Sequence, residues 1–234
     1  MSVSGNGIMD SKFFPVVFML ILTVIFVGIL AAFYRASEKG IEQYKQQTYK
    51  LQILSLFADT LSVLTGIEKA ELTDPVRVQE NYEKYIREVN ISSDQIKTVS
   101  SRYFTASIMQ DNVLGYCFDI KGSGLWGTMR GLMAVTPDFS KIINFVIYDQ
   151  METPGLGSRV TEDWFKQQFA GKSLISGNAV EDFSLVQEDA TANAAEIRQV
   201  TGATITSSAV LKIIVSAAAE LRDLRPDLKG EQDE

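Results

Sequence analysis

Residues 98–148 read TVSSRYFTASIMQDNVLGYCFDIKGSGLWGTMRGLMAVTPDFSKIINFVIY. Four runs rich in β-branched and aromatic residues stand out: Thr98 to Met109, Val113 to Ile120, Thr128 to Val135 and Ile142 to Tyr148. Turn formers separate them, at Asp111-Asn112, Gly122-Ser123-Gly124 and Thr136-Pro137-Asp138. Regular strands joined by short turns imply antiparallel pairing, since parallel neighbours need a long crossover. The stretch predicts a mostly antiparallel sheet, and the chain as a whole an α+β fold.

Working toward the N-terminus, Asp74-Pro75 resembles an N-cap followed by proline at the first helical position, so a polar helix is expected over Pro75 to Val89. Ser37 to Gly66 reads as another helix, with Ile41, Tyr44, Tyr49, Leu51, Ile53, Leu54, Leu56 and Phe57 at three- and four-residue spacing and Thr65-Gly66 as its stop. Phe13 to Tyr34 is 22 residues without a charge, bounded by Lys12 and Arg35. As a helix it spans roughly 33 Å, enough for a bilayer core, and it is too long for the apolar region of a signal peptide. Phe13, Phe14, Phe33 and Tyr34 stand where interfacial aromatics stand. Counting Lys and Arg around it leans toward a cytoplasmic C-terminal side.

Toward the C-terminus, Val160 to Ala170 predicts a short helix with Trp164, Phe165 and Phe169 on one face. Ser184 to Val186 reads as a short strand and Ala190 to Ala195 as a small-residue loop. Ala209 to Leu224 is alanine-rich and apolar-periodic, and Lys229 to Glu234 is a polar tail. The expected organisation is a polar N-terminus at 1–12, a single transmembrane helix at 13–34, a helical stalk or cap at 35–97, one domain at 98–225 and a polar tail at 226–234.

Composition narrows the chemistry. The 234 residues carry a net charge of −7, which disfavours nucleic acid as a partner. There is no histidine, so His-based triads, His-ligated zinc and axial His for haem are excluded. The single cysteine, Cys117, excludes an internal disulfide and a CxxC pair, and reads as a buried strand thiol. Neither catalytic side chains nor metal ligands are evident. Redox chemistry in this chain needs a borrowed cofactor.

Three short motifs remain. Gly122-Ser123-Gly124-Leu125-Trp126-Gly127 sets a tryptophan in a glycine-dense turn, where a flat ligand can approach backbone closely. In Glu152-Thr153-Pro154-Gly155-Leu156-Gly157, Pro154-Gly155 fits a type II turn whose backbone amides and Thr153 hydroxyl can meet a ring edge or a phosphate. Thr201-Gly202-Ala203-Thr204-Ile205-Thr206-Ser207 feeds straight into the C-terminal apolar run. Thr206, Ser207 or Ser208 can cap that helix, and free amides at a helix start favour an anion. Taken singly, each also fits a plain turn or a capped helix start, and Lys172 fits a solvated lysine as well as a phosphate partner.

Their order along the chain, with Gly171-Lys172 between the second and third, resembles the family of membrane-anchored FMN-binding proteins. That family contains NqrC, from the sodium-pumping NADH:quinone reductase (NQR), and RnfG, from the Rnf complex. The similarity covers roughly residues 98 to 222. Leu125-Trp126 leans toward the NQR member, and Thr201 with Ile205-Thr206 toward Rnf. The resemblance implies FMN joined by a phosphoester to Thr204, within a site including Thr201, Gly202, Ala203, Thr206 and Ser207. Glu152, Thr153, Gly155, Leu156 and Gly157 would line the ring or ribityl chain. Leu125 and Trp126 would wall the pocket, and Lys172 would face the phosphate. Where the family motif carries an aspartate, this chain has Arg198, with Glu196 and Asp189 nearby but out of register.

The implied role is an electron-relaying flavoprotein component, not catalytic alone, in the bacterial inner membrane with its FMN domain on the extracytoplasmic side. Its implied partners are the other membrane subunits of an Rnf- or NQR-type complex, membrane lipid, and a flavin transferase for maturation. Two alternatives stay open: a stand-alone anchored FMN carrier or sensor outside any ion pump, and a cofactor-free anchored interaction module.

Overall fold

A computed structural model describes residues 13–90, 96–108 and 112–230, with side chains up to residue 224. The N-terminal stretch 1–12 and the last four residues of the tail lie outside the described residues. The chain divides into two units, one up to Gln46 and one from Gln47 onward.

Helix α1 runs Phe14–Thr65 without a break, so the apolar stretch and the helix expected after it form one element of 52 residues. No residue between them stops a helix: Pro15 sits in the first turn, where its missing N–H matters least. Side chains from Val16 to Tyr34 are almost all exposed. The Thr23 hydroxyl donates to the Met19 carbonyl at 2.8 Å, which satisfies it inside the helix. This segment is long and apolar enough to cross a membrane. Gly66, at φ +72°, follows the end of the helix.

The second unit is built on a five-stranded antiparallel meander in the order β1-β2-β3-β4-β5. Its strands are β1 Ile86–Asn90, β2 Val99–Ile108, β3 Asn112–Ser123, β4 Thr128–Val135 and β5 Ile142–Asp149. The last four take up the runs read from sequence, except that β3 continues past Ile120 through Gly122 and Ser123, expected in the turn, which pair with Met129 and Thr128; β1 corrects the reading further. Helix α2 (Lys69–Leu72) is one turn long, and α3 (Val78–Tyr85) stops where the sequence suggested helix to Val89. From Ile86 the chain pairs instead with β2, Ile86 opposite Ala106 and Asn90 opposite Arg102. Pairing with a distant strand outweighs the local preference. Asp74 also serves a turn, accepting the Val76 amide at 2.9 Å, and the helix starts four residues later.

Alternation sorts the strands cleanly. Tyr103, Tyr116, Phe118, Ile120 and Met133 face one core, where they meet Val210, Ile214, Ala217 and Leu221 of α5 (Thr204–Gly230). Phe104, Cys117, Leu132 and Ala134 face the other, against Ile53, Leu54, Phe57 and Leu61 of α1. The apolarity of α5 is thus the apolarity of a core helix, and Cys117 is a buried strand thiol. Glu220 of α5 clasps the start of β2, its carboxylate accepting the amides of Thr98 at 2.8 Å and Val99 at 2.9 Å. On the opposite face Asp119 accepts the hydroxyls of Tyr49 at 3.1 Å and Tyr148 at 2.8 Å. Burial, followed by the Asp119 charge, pushes both phenols up.

Between β5 and α5 the chain is irregular. The helix expected over Val160 to Ala170 is three pieces: a 3-10 turn at Gly157–Thr161, α4 at Asp163–Lys166 and a 3-10 turn at Gln167–Phe169. Extended Glu162 separates the first two, and Phe165 and Phe169 are still buried on one side. A small hairpin pairs β6 (Ile175–Ser176) with β7 (Ala179–Val180). β8 (Ser184–Val186) lies parallel to β9 (Glu196–Arg198).

Candidate functional site

Three loops meet at one carboxylate. Glu152 follows β5 and is only 5% exposed. Its Oε1 accepts the amides of Leu125 at 2.8 Å and Trp126 at 3.2 Å, both in the turn between β3 and β4. Its Oε2 accepts the hydroxyl of Thr206, in the first turn of α5, at 2.6 Å. The three motifs singled out in the sequence, 27 and 54 residues apart through these bonds, therefore share one buried group. Glycines enclose it. A Cβ on Gly124 would lie 2.5 Å from Oε1, and one on Gly157 would lie 2.8 Å from both Oε2 and the Thr206 hydroxyl oxygen.

The Glu152–Gly157 segment forms the turn its Pro-Gly pair calls for: Gly155 has φ +74°, and Leu156 N–H donates to the Thr153 carbonyl at 3.1 Å. The amides of Gly155, Leu156 and Ser158 are all used inside this turn. These three amides are therefore not part of the row of free amides expected from sequence. The Thr153 hydroxyl accepts Trp126 Nε1–H at 3.1 Å, fixing the indole.

The third loop starts α5 earlier than expected, at Thr204 instead of Ala209. None of the anticipated capping hydroxyls caps it. Ser207 Oγ accepts the Val200 amide at 3.0 Å, bracing the loop, and Thr206 donates to Glu152. Gly202, at φ +78°, makes the bend, and Leu156 lies 3.3 Å from where its Cβ would stand. The Ser207 amide makes the first helical bond, to Ala203 at 2.9 Å. The amides before it, of Thr204, Ile205 and Thr206, have no acceptor among the described residues. These donors, and the dipole of a 27-residue helix behind them, form the anion-favouring end of the site. Ala203 is buried under it, while Thr201 and Thr204 are exposed.

The other end is apolar. Beyond residue 76, the large hydrophobic side chains exposed among the described residues are Leu125, Trp126, Met151, Leu156 and Ile205. All five belong to these three loops or to the residue directly preceding Glu152. Trp126 is 67% exposed and Ile205 63%. These five therefore gather apolar surface onto the three loops that also carry the exposed hydroxyls of Thr201 and Thr204.

Beside Thr201 and Gly202 opens a cleft of about 750 Å³, also lined by Arg159, Gln187, Glu188, Asp189 and Gln199. Here the structure adds two residues that sequence reading missed. Arg159 donates from both terminal nitrogens to Glu188, at 3.2 and 2.7 Å, and its guanidinium lies over Trp164. Glu188 in turn accepts the Thr201 amide at 2.8 Å. Arg159 and then the Thr201 amide hold the Glu188 carboxyl down to about 2. No local signal marks this pair, because its members lie 29 residues apart.

Two further residues stand apart from the expectation. The Lys172 ammonium donates to the carbonyls of Asn193, Ala194 and Glu196 at 3.1, 2.7 and 3.1 Å, so it secures the 193–196 loop and is not free for a phosphate. Arg198, where the family motif has aspartate, is tied through its amide and Nε to Gln168 Oε1. The acids beside the Thr201 turn are instead Glu188 and Asp189.

Comparison with known proteins identifies the family. A family model for the FMN-binding domain matches residues 124–219. The G subunit of a proton-translocating ferredoxin:NAD(+) oxidoreductase complex from Clostridium ljungdahlii is 31% identical over 154 residues, covering 64% of this chain and 78% of that one. The G subunit of an ion-translocating oxidoreductase complex from Methanosarcina acetivorans is 26% identical over 86% of this chain and 90% of its own. The C subunit of the Na(+)-translocating NADH-quinone reductase from Pasteurella multocida is 41% identical, but over only 38% of this chain and 34% of that protein. The crystal structure of Shewanella oneidensis NqrC superposes with a TM-score of 0.59 at 21% identity, covering 80% of this chain and 99% of that one, and shares the fold.

Proposed function

The chain belongs to the FMN-binding family of RnfG and NqrC, and from that premise we propose that it carries FMN covalently on Thr204 and relays electrons within an Rnf- or NQR-type ion-translocating complex. The observation that carries this reading is the pairing of an exposed hydroxyl and three unused helix amides with five exposed apolar side chains. One end suits a phosphate and the other a flat apolar ring. The residues present thus fit FMN.

Local geometry favours Thr204 over its neighbours as the attachment hydroxyl. Thr206 is 1% exposed with its proton given to Glu152, and Ser207 is fully buried with its oxygen engaged by Val200. Thr201 is exposed but precedes the helix, and its amide is committed to Glu188. Thr204 is exposed and opens α5, next to the free amides. Those amides stabilise the phosphoester charge by about 0.3–1 kcal/mol at an exposed helix end. Leu125, Trp126 and Leu156 flank the ring, while Glu152 fixes the loops that bear them. Bound flavin supplies the redox chemistry that no side chain here provides.

The 13–34 segment anchors the chain as a single transmembrane helix, with the flavin domain of residues 98–225 on the extracytoplasmic side. Partners are the remaining membrane subunits and, during maturation, a flavin transferase. Intact mass under denaturing conditions tests the central point. Wild type made with a flavin transferase gains the mass of one FMN, and Thr204→Val does not. Retention of the added mass in Thr204→Val refutes the assignment, and protease cleavage of the domain in intact spheroplasts checks its side of the membrane.

A further inference from the structure

Among the described residues, Glu152 is the only Asp, Glu, Lys or Arg that is buried, and none of the ion pairs includes it. Burying a carboxylate without a counter-ion is unfavourable, and its hydrogen bonds do not require the charge. A glutamine in the same position offers one oxygen to the Leu125 and Trp126 amides and an NH2 group to the Thr206 oxygen. Yet the surroundings are shaped to the carboxylate, with Gly124 closed over one oxygen and Gly157 over the other. Some positive potential reaches it from the start of α5, where Thr206 itself bears one of the three free amides.

We infer that Glu152 has two duties in the flavin site: it organises the three loops before the cofactor arrives, and its fixed negative charge lowers the reduction potential of the flavin they hold. The inference rests on the flavin reading above. The first duty follows from topology. Leu125 and Trp126 belong to a hairpin tip, Thr206 to a helix start, and Glu152 is the side chain hydrogen-bonded to both. The second follows from burial. Adding an electron to a ring flanked by Leu125, Trp126 and Leu156 places negative charge near a buried anion that little water screens. Removing that charge while keeping the hydrogen bonds makes the ring easier to reduce. Glu152 is thus a positioning residue with an electrostatic consequence, touching neither Thr204 nor the proposed phosphate.

Full-length protein in detergent, as wild type, Glu152→Gln and Glu152→Ala, tests both duties. Without flavin, hydrogen exchange of the peptide covering residues 123–128 is slow in wild type and Glu152→Gln, and at least about tenfold faster in Glu152→Ala, which loses bonds to a charged acceptor. With flavin loaded, spectroelectrochemical titration gives a higher midpoint potential for Glu152→Gln than for wild type. A merely structural carboxylate leaves that potential where it was. Equal exchange in all three proteins overturns the organising role, and equal potentials in wild type and Glu152→Gln overturn the electrostatic one. Where Glu152→Ala does not fold, Thr206→Val removes one of the three bonds for the exchange measurement and the Glu152→Gln comparison stands. A wild type that takes up no flavin refutes the flavin reading and the electrostatic duty together, while its exchange pattern still supports or refutes the organising duty.

Discussion

Replacing Gly157 by alanine drives a methyl group into the junction of the three loops. The new Cβ would stand 2.8 Å from Glu152 Oε2, 2.8 Å from Thr206 Oγ1 and 2.9 Å from Glu152 Cβ, all closer than such contacts occur. The 2.6 Å bond between Thr206 and Glu152 must open or the 3-10 turn must move. Overpacking of this kind costs about 1–3 kcal/mol, and losing a hydrogen bond to a charged acceptor about 1.5–3 kcal/mol. Stiffening of the unfolded chain returns less than about 1 kcal/mol. The net loss is about 3 kcal/mol, which lowers the melting temperature of a chain this size by roughly 6–12 °C. Gly155→Ala is the control. It strains the backbone, at φ +74°, but no atom lies within 4 Å of its Cβ, so it loses only about 1–2 kcal/mol. Thermal unfolding of the two variants in the same detergent, followed by tryptophan fluorescence, compares them directly. Gly157→Ala melting at or above Gly155→Ala refutes the claim that the site is packed around this carboxylate.

Glu188 governs the acid limb of stability around the Thr201 turn. Arg159 holds its folded-state carboxyl down to about 2, below its ordinary value of 4.5, so its contribution is complete above about 4.5 and is lost as pH falls toward 2. Denaturant midpoints measured across that interval fall less steeply for Glu188→Gln than for wild type, and parallel curves contradict the assignment. Cys117 is fully buried, and burial followed by the Asp119 charge pushes its thiol up. Folded protein therefore takes no label from iodoacetamide at pH 8, and unfolded protein takes one by intact mass; rapid labelling of the folded form contradicts its placement.

The strands at residues 99–149 were readable because alternation and turn residues are local properties, and the structure repeats them nearly residue for residue. Pro154-Gly155 was readable for the same reason. β1 was not, because Ile86 to Asn90 become a strand only by pairing with Arg102 to Ala106. The site divides along the same line. Its three loops announced themselves by glycine spacing and hydroxyl content, but the bond from Glu152 to Thr206 spans 54 residues and the one from Glu188 to Thr201 spans 13. Lys172 shows the reverse error: a cation beside a glycine suggested a phosphate, and three carbonyls had already claimed it. Proximity in sequence suggests what a loop can touch, whereas tertiary contacts settle which groups are still free to do so.

The burial of Thr206 and Ser207 bears on timing. An extended chain would present five hydroxyls within eight positions, Thr201, Thr204, Thr206, Ser207 and Ser208, with little chemistry to tell them apart. The folded loop leaves only Thr201 and Thr204 in the open. A modifying enzyme that comes after folding inherits its selectivity from the substrate, and needs to recognise a shape more than a string of letters.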